Sequence, residues 1–407
     1  MPRMGYKPAI ALLSAVVLAV SGCANSTGNG APTANESPGA GAIGAGASGA
    51  TDGSATKGGP VPKGFVAHDL TFVSANEGWL LGTAPCSTKP CTSIVHTTDG
   101  GKTWAGIPAP KAELEVNGQN SCAGSGPCVR GLRFANSTVG YAYGSTALYL
   151  TTDGGKTWKQ QPGQAFGVEL ANNTVVRVST VSEGCPPGCT FKLSTAPLGS
   201  ATFTDAKVTG AAPLLGNNVQ LLREGHAAYA EIFQNVAGGA EDAHATLLTS
   251  TDDGRTWTVR TDPCGSSGGQ EADSTQMAVA DDGSLSVLCR TRSGAAAFVR
   301  TSTDHGASFG SPHAAPAGAT AFGLGAASAK TLLLVQLGDG QDTLVRTADG
   351  GATWAKVATA TAPTSGDLGM AAIGFQSGTT GRWAPGGSVV LSTRDTGKTW
   401  ESVTISG

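Results

Sequence analysis

The run "VHTTDGGKTW", Val95 to Trp104, decides the fold of this chain because it does not stand alone. Taken singly, it holds an acid in a glycine-flanked turn followed by a lysine, a threonine and a tryptophan. Asp99 then reads equally as a catalytic acid, a cation ligand or a piece of scaffolding. Aligned on this run, the chain yields six copies of one pattern: Ser/Thr, any residue, Asp, any residue, Gly, two more, then an aromatic. The acids are Asp99, Asp153, Asp252, Asp304, Asp349 and Asp395, and the closing aromatics are Trp104, Trp158, Trp257, Phe309, Trp354 and Trp400. Successive acids lie 54, 99, 52, 45 and 46 residues apart. The interval of 99 is twice the period, so one unit has lost its motif. "LSTAPLGSATF", Leu193 to Phe203, is the eroded copy: Ser194, Gly199 and Phe203 remain, and Ala196 replaces the acid. The chain therefore carries seven units of about 50 residues over 64–407.

Each motif is preceded by a short apolar or alternating run, as in "SIVHT", "ALYLT", "DTLVRT" and "SVVLST", and two more such runs lie upstream in each unit. A fourth begins at the motif aromatic, as in "TWAGI". Composition agrees: 60 glycines and only 14% charged residues suit short strands and tight turns, since Gly costs about 1 kcal/mol inside a helix. Seven repeats of four short strands predict an all-β chain, a seven-bladed β-propeller of four-stranded blades.

The motif resembles the Asp box, or BNR repeat, of sialidases, the sortilin ectodomain, some xyloglucanases and photosystem II assembly-factor-like propellers. A second signature is similar to that of the last group: Phe72, Gly78 and Trp79, then Phe134, Gly140 and Tyr141. The last unit departs from it, with Phe375 and Gly381 followed by Arg382, and Trp383 one place later. The resemblance implies that each Asp box forms the turn between the third and fourth strands of a blade, on the outer rim. It implies little about activity, because propellers host many unrelated functions.

In this setting Asp99 is a turn staple. A short carboxylate accepts hydrogen bonds from nearby backbone N–H groups, Gly101 takes a conformation that a Cβ resists, and Trp104 packs at the start of the outer strand. Six scattered copies do not make one active site, and the run lacks the oxygen array and terminal bidentate Glu of a calcium loop. No catalytic, cofactor or metal residue is assigned. The sialidase resemblance would require three arginines on a substrate carboxylate, a Tyr–Glu nucleophile and an acid/base Asp. Residues 64–96 hold no arginine and no such triad can be matched, which argues against a true sialidase.

The N-terminus reads as an export signal. Arg3 and Lys7 precede an uncharged apolar run, Ala9 to Val20, too short to span a bilayer. "VSGC", ending at Cys23, resembles a bacterial lipobox. The resemblance implies cleavage after residue 22, lipidation of Cys23 and residence on the outer face of the cytoplasmic membrane. Losing Arg3 and Lys7 takes the net charge from -3 to about -5, and no basic block invites nucleic acid. Residues 23–63 are Gly, Ala, Ser, Thr, Asn and Pro with little to bury, the composition of a disordered tether reaching on the order of 35 Å. The domain limits are then 1–22, 23–63 and 64–407. Eight cysteines follow the tether: Cys86, Cys91, Cys122, Cys128, Cys185, Cys189, Cys264 and Cys289. An even number in an exported chain reads as disulfides; zinc is the rival, but the spacings are not those of zinc knuckles and no His pair accompanies them.

Placed on seven blades, all eight cysteines map to the face made by the second-to-third strand loops and the connections between blades. Such staples either pre-organise a binding face or protect long loops from proteases. Glu241, Asp242 and His244 are the densest polar group there, with Arg290 and Arg292 nearby; a solvated acidic loop accounts for the group as well as a ligand site does. The sequence supports a monomeric, lipid-anchored surface protein whose propeller binds an extracellular protein or glycan without catalysis. The alternative is a glycoside hydrolase or lyase acting on extracellular polysaccharide.

Overall fold

A computed structural model of the chain describes residues 58–406 apart from 88–89, 116–125, 182–188, 211–212, 217, 235–243, 266–271, 292–296, 317–319, 339 and 362–371. It is all-β among these residues, and seven antiparallel sheets of consecutive strands form the seven expected blades. Blade one comprises Val66–Phe72, Gly78–Ala84, Cys91–Thr97 and Ala105–Ile107. The first strands of the other blades are Gly131–Phe134, Gly167–Ala171, Asn218–Glu224, Ala272–Val279, Thr320–Ala326 and Ala372–Phe375. Each first strand packs against those of its two neighbours, and the last returns to the first, so the ring closes around these seven.

Blades three and four are stitched together. After the short fourth strand of blade three (Thr204–Asp205), Lys207–Thr209 crosses to lie parallel to Thr256–Arg260 at the outer edge of blade four. The chain then returns as Leu214–Gly216 to pair with the upper half of Cys189–Pro197 in blade three. The crossing strand Lys207–Thr209 lies in register beside Trp257, the most buried of the motif aromatics at 1% exposure. Trp104, Trp158, Phe309, Trp354 and Trp400 stay half-buried, on the rim rather than between strands.

The Phe–Gly–aromatic signature is a packing device between blades. Phe72 lies opposite Gly78 in the hairpin, and a Cβ on Gly78 would sit 2.4 Å from the Phe72 ring. Gly140 and Gly381 stand in the same way against Phe134 and Phe375. The next residue then reaches the following blade: Trp79 stacks on Phe134 of blade two at 3.8 Å. Arg382 does the aromatic's work in blade seven. Its guanidinium lies 4.5 Å over the Phe72 ring of blade one and donates to the Ala75 carbonyl at 2.8 Å. Arginine serves here because it offers both a cation–π face and donors for a carbonyl at the seam where the chain ends meet.

Among the described residues the seam holds no exchanged strand. Ala67 N–H donates to the Gly387 carbonyl, and Gln376 donates to the Ser74 carbonyl. Residues 58–62, which the sequence reading placed in the tether, belong to the propeller. Gly59 and Gly106 exchange two backbone hydrogen bonds of 2.9 Å at the outer edge of blade one. Val61 and Phe65 are buried with Ala372, Ala384, Val390 and Ile405 of blade seven. Glycine and proline content hid this strap; its two large apolar side chains give it enough to bury.

Candidate functional site

The six Asp boxes share one hydrogen-bonding pattern that ties the turn to itself. Thr97 donates its hydroxyl to Asp99 Oδ1 and accepts the Gly101 N–H, both at 2.9 Å. Asp99 in turn takes the N–H and the hydroxyl of Thr103 at 2.9 and 2.6 Å. Thr157, Thr256, Ser308, Thr353 and Thr399 repeat the Thr103 bonds on Asp153, Asp252, Asp304, Asp349 and Asp395. The seventh motif position is therefore a hydroxyl residue for cause, a regularity the sequence pattern left as "any residue". Partial burial pushes the Asp99 carboxyl up, but the Thr103 bonds hold it below the usual range. On Asp304 and Asp349 the bonds from Ser308 and Thr353 act almost unopposed and lower the carboxyls strongly. Two successive residues of each box, such as Gly100 (φ 80) and Gly101 (φ 92), take the left-handed region. In the eroded copy the acid is replaced from elsewhere: Tyr141 OH accepts the Gly199 N–H and donates to the Ser200 carbonyl, while Arg177 donates to Ser194 and lies 3.8 Å over Phe203.

On the axis, the wall formed by blades one to three holds a buried ion cluster that the sequence reading missed. Arg133 of blade two donates Nη1 to Asp69 of blade one and Nε to Glu169 of blade three, both at 2.9 Å. Asp69 also accepts the N–H of Leu132 at 2.8 Å, so the carboxylate stands in for a backbone bond between first strands that do not pair. Burial pushes Glu169 up to about 7, with the Arg133 guanidinium opposing it. Burial also raises the neighbouring Tyr143 to about 12. A bulge just before Asp69 turns that carboxylate toward blade two. On the other side of the ring, Gln220 of blade four clamps blade five in the same manner, bonding both the N–H and the carbonyl of Met277. Gly325, Gly374, Leu324 and Ile373 border a small pocket beside Gln220 and Met277. Asp69 and Glu169 are thus both paired with Arg133 under closed packing, an arrangement that holds blades one to three together.

The opposite face to the Asp boxes carries the disulfides. Cys86–Cys91 closes the second-to-third strand loop of blade one, and Cys264–Cys289 ties the connection from blade four to the second strand of blade five. Cys128 and Cys189 are disulfide-bonded as well. Cys122 and Cys185 lie outside the described residues, as do Cys23, Glu241, Asp242 and Arg292. His244 opens the third strand of blade four opposite Gln234, and Arg290 lies between Asp273 and Ala297 in blade five. Among the described residues no group of three His, Cys, Asp or Glu is placed to hold a metal ion.

What stands out on this face is apolar. Three large hydrophobic side chains are exposed among the described residues: Val181 at 62%, Leu215 at 44% and Leu337 at 37%. All three lie at the disulfide end of their blades. Val181 bonds its N–H to Thr190, and Thr190 pairs with Leu215, so the three residues form one cross-strand row on the side of blade three that faces blade two. They are exposed because blade three is taller. Its second and third strands, Thr174–Thr180 and Cys189–Pro197, run seven and nine residues, against four each for Gly140–Tyr143 and Leu148–Thr151 of blade two. The result is a step with an aliphatic wall. At the same end of blade two, Ser145 donates to Glu115 at 3.1 Å and Arg130 lies 3.9 Å from the same carboxylate.

Comparison with known proteins fits this architecture. Residues 149–160 match the model of the BNR/Asp-box repeat. No curated protein sequence matches it. In fold it is similar to YCF48 bound to a D1 peptide, with 17% identity over 86% of this chain and 94% of that one, at a TM-score of 0.50. YCF48 from Cyanidioschyzon merolae is similar at 16% identity, 82% and 97% coverage and a TM-score of 0.51. An ulvan lyase of a polysaccharide lyase family is similar at 9% identity, 86% and 93% coverage and a TM-score of 0.50.

Proposed function

We propose that this chain is an extracytoplasmic lipoprotein, acylated at Cys23, whose propeller binds a segment of another protein on its disulfide face and catalyses no reaction. The observation that carries this reading is the Val181–Thr190–Leu215 row, two exposed aliphatic side chains held on a sheet at the disulfide end of blade three. Exposed apolar surface with a polar rim is the usual mark of a protein contact. The buried Arg133 pairing of Asp69 and Glu169 argues on the same side, since it leaves no free carboxylate pair on that stretch of the axis. A propeller of similar fold, YCF48, has been solved with a D1 peptide bound, which supports peptide binding as a use of this architecture.

The test is photo-crosslinking in the producing cells with a photoreactive amino acid at Leu215, and at Lys156 on the Asp-box rim for comparison. The reading expects discrete protein adducts from Leu215 and none of them from Lys156. Equal adducts from both positions, or turnover of an extracellular polysaccharide by the purified protein, would overturn it.

A further inference from the structure

The disulfide face and the membrane anchor are connected through the N-terminal strap. The fourth strand of blade one, Ala105–Ile107, climbs from the Asp-box turn toward the disulfide face. Gly59 pairs antiparallel to it at Gly106, so the chain traced backward from Gly59 climbs the same way. The pairing is locked. A Cβ on Gly58 would lie 2.7 Å from the Gly106 carbonyl oxygen, and one on Gly106 would lie 2.6 Å from that of Pro60. Val61 and Phe65, at 5% and 2% exposure, pin the strap in the seam between blades one and seven. Gly58, the first described residue, therefore stands at the outer edge of blade one, on the disulfide side of Gly59. From Ala24 to Lys57 the tether has 34 residues, which for a Gly/Ser-type chain span roughly 30–35 Å.

From this placement, and resting on the lipid-anchored binding reading above, we infer that the disulfide face of the anchored protein looks toward the membrane and that the Val181–Leu215 step receives the extracytoplasmic segment of a membrane-embedded protein. The short tether presents the face from which it departs, while the Asp-box face meets the membrane only if the tether doubles back around the rim. The step suits an extended peptide rather than lipid. Its aliphatic wall is one short row, broken by the hydroxyl residue Thr190, and the same end of blade two carries Ser145, Glu115 and Arg130. A peptide offers both aliphatic side chains and hydrogen-bonding backbone to such a mixed surface.

The experiment uses the full-length acylated protein in phosphatidylethanolamine/phosphatidylglycerol vesicles that contain an energy-acceptor lipid. A donor dye is attached through a clickable non-natural residue at Val181 or Leu337, or at Lys156 or Lys398 on the Asp-box side. Transfer at least twofold stronger from Val181 and Leu337 is expected; equal or stronger transfer from Lys156 and Lys398 overturns the orientation. In native membranes, photo-crosslinks from Leu215 should reach a membrane-embedded protein. Crosslinks to lipid alone, or to soluble proteins alone, overturn the choice of occupant. If the transfer ranking fails while V181D/L215D still abolishes the protein adduct, the orientation falls and the binding function stands.

Discussion

Replacing Arg133 with methionine tests the clamp on the axis. Arg133, Asp69 and Glu169 are 4%, 5% and 2% exposed, and the arginine is the shared partner of two carboxylates from two other blades. Removing it strands buried negative charge, a change that typically costs 3–5 kcal/mol where one member of a buried pair is lost. Without Arg133 the influence that lowers Glu169 is gone and burial moves its carboxyl further up, and a loss of about 4 kcal/mol is expected at pH 8. Near pH 5 Glu169 binds a proton, its folded carboxyl having been pushed up to about 7, and the loss should fall to about half. The sign for the unaltered protein follows. Because the folded value lies above the unfolded 4.5, Glu169 adds stability at acid pH that is lost as pH rises through about 7, to the extent of about 3 kcal/mol at most. Glu169→Gln should remove that slope. Urea unfolding at pH 5 and pH 8 reads both effects. A cost for Arg133→Met below about 1 kcal/mol at pH 8, within the range of surface substitutions, or equal costs at the two pH values, would refute the clamp.

Other outcomes follow from single contacts. Asp99→Ala removes the acceptor for Thr97 and Thr103 and should cost about 2 kcal/mol by denaturant unfolding. The Asp-box carboxyls, Asp395 being lowered to about 2, contribute stability that is present above the unfolded value near 3.8 and lost as pH falls toward 2; acid titration of the circular dichroism signal should show unfolding in that window. Gly78→Ala drives a Cβ into the Phe72 ring and should cost about 1–3 kcal/mol. Removing Cys264–Cys289, with a sequence separation of 25, should cost more than removing Cys86–Cys91, with a separation of 5: about 3–4 against about 2 kcal/mol in the chain-entropy model.

The repeat made the ring legible, because a motif that recurs every 45 to 54 residues measures blades directly. It also placed Asp99 at an outer corner and the cysteines on the opposite face. The axial cluster was visible only as an oddity: Asp69 in "HDLTF", Arg133 in "GLRF" and Glu169 in "GVELA" are lone charges within apolar first strands of three successive blades. Periodicity assigns each of them a strand. It does not show that three strands far apart in sequence meet at one arginine. The Val181–Leu215 step was hidden for a different reason. It depends on blade three being taller than blade two and on Leu214–Gly216 returning to the sheet it had left, both of which are tertiary facts. Arg382 read as a departure from the signature, whereas its stacking over Phe72 preserves the signature's purpose.

The central claim is that the aliphatic step on the disulfide face is where this propeller meets a protein. The most direct measurement compares proteins recovered with three affinity-tagged forms from detergent-solubilised membranes: the unaltered chain, V181D/L215D, and K102E/K156E on the Asp-box rim. All three should be recovered folded, since Val181, Leu215, Lys102 and Lys156 are not in the core. The account predicts that V181D/L215D loses a partner at least tenfold while K102E/K156E retains it. Retention of every partner by V181D/L215D, or its loss only from K102E/K156E, would contradict the account.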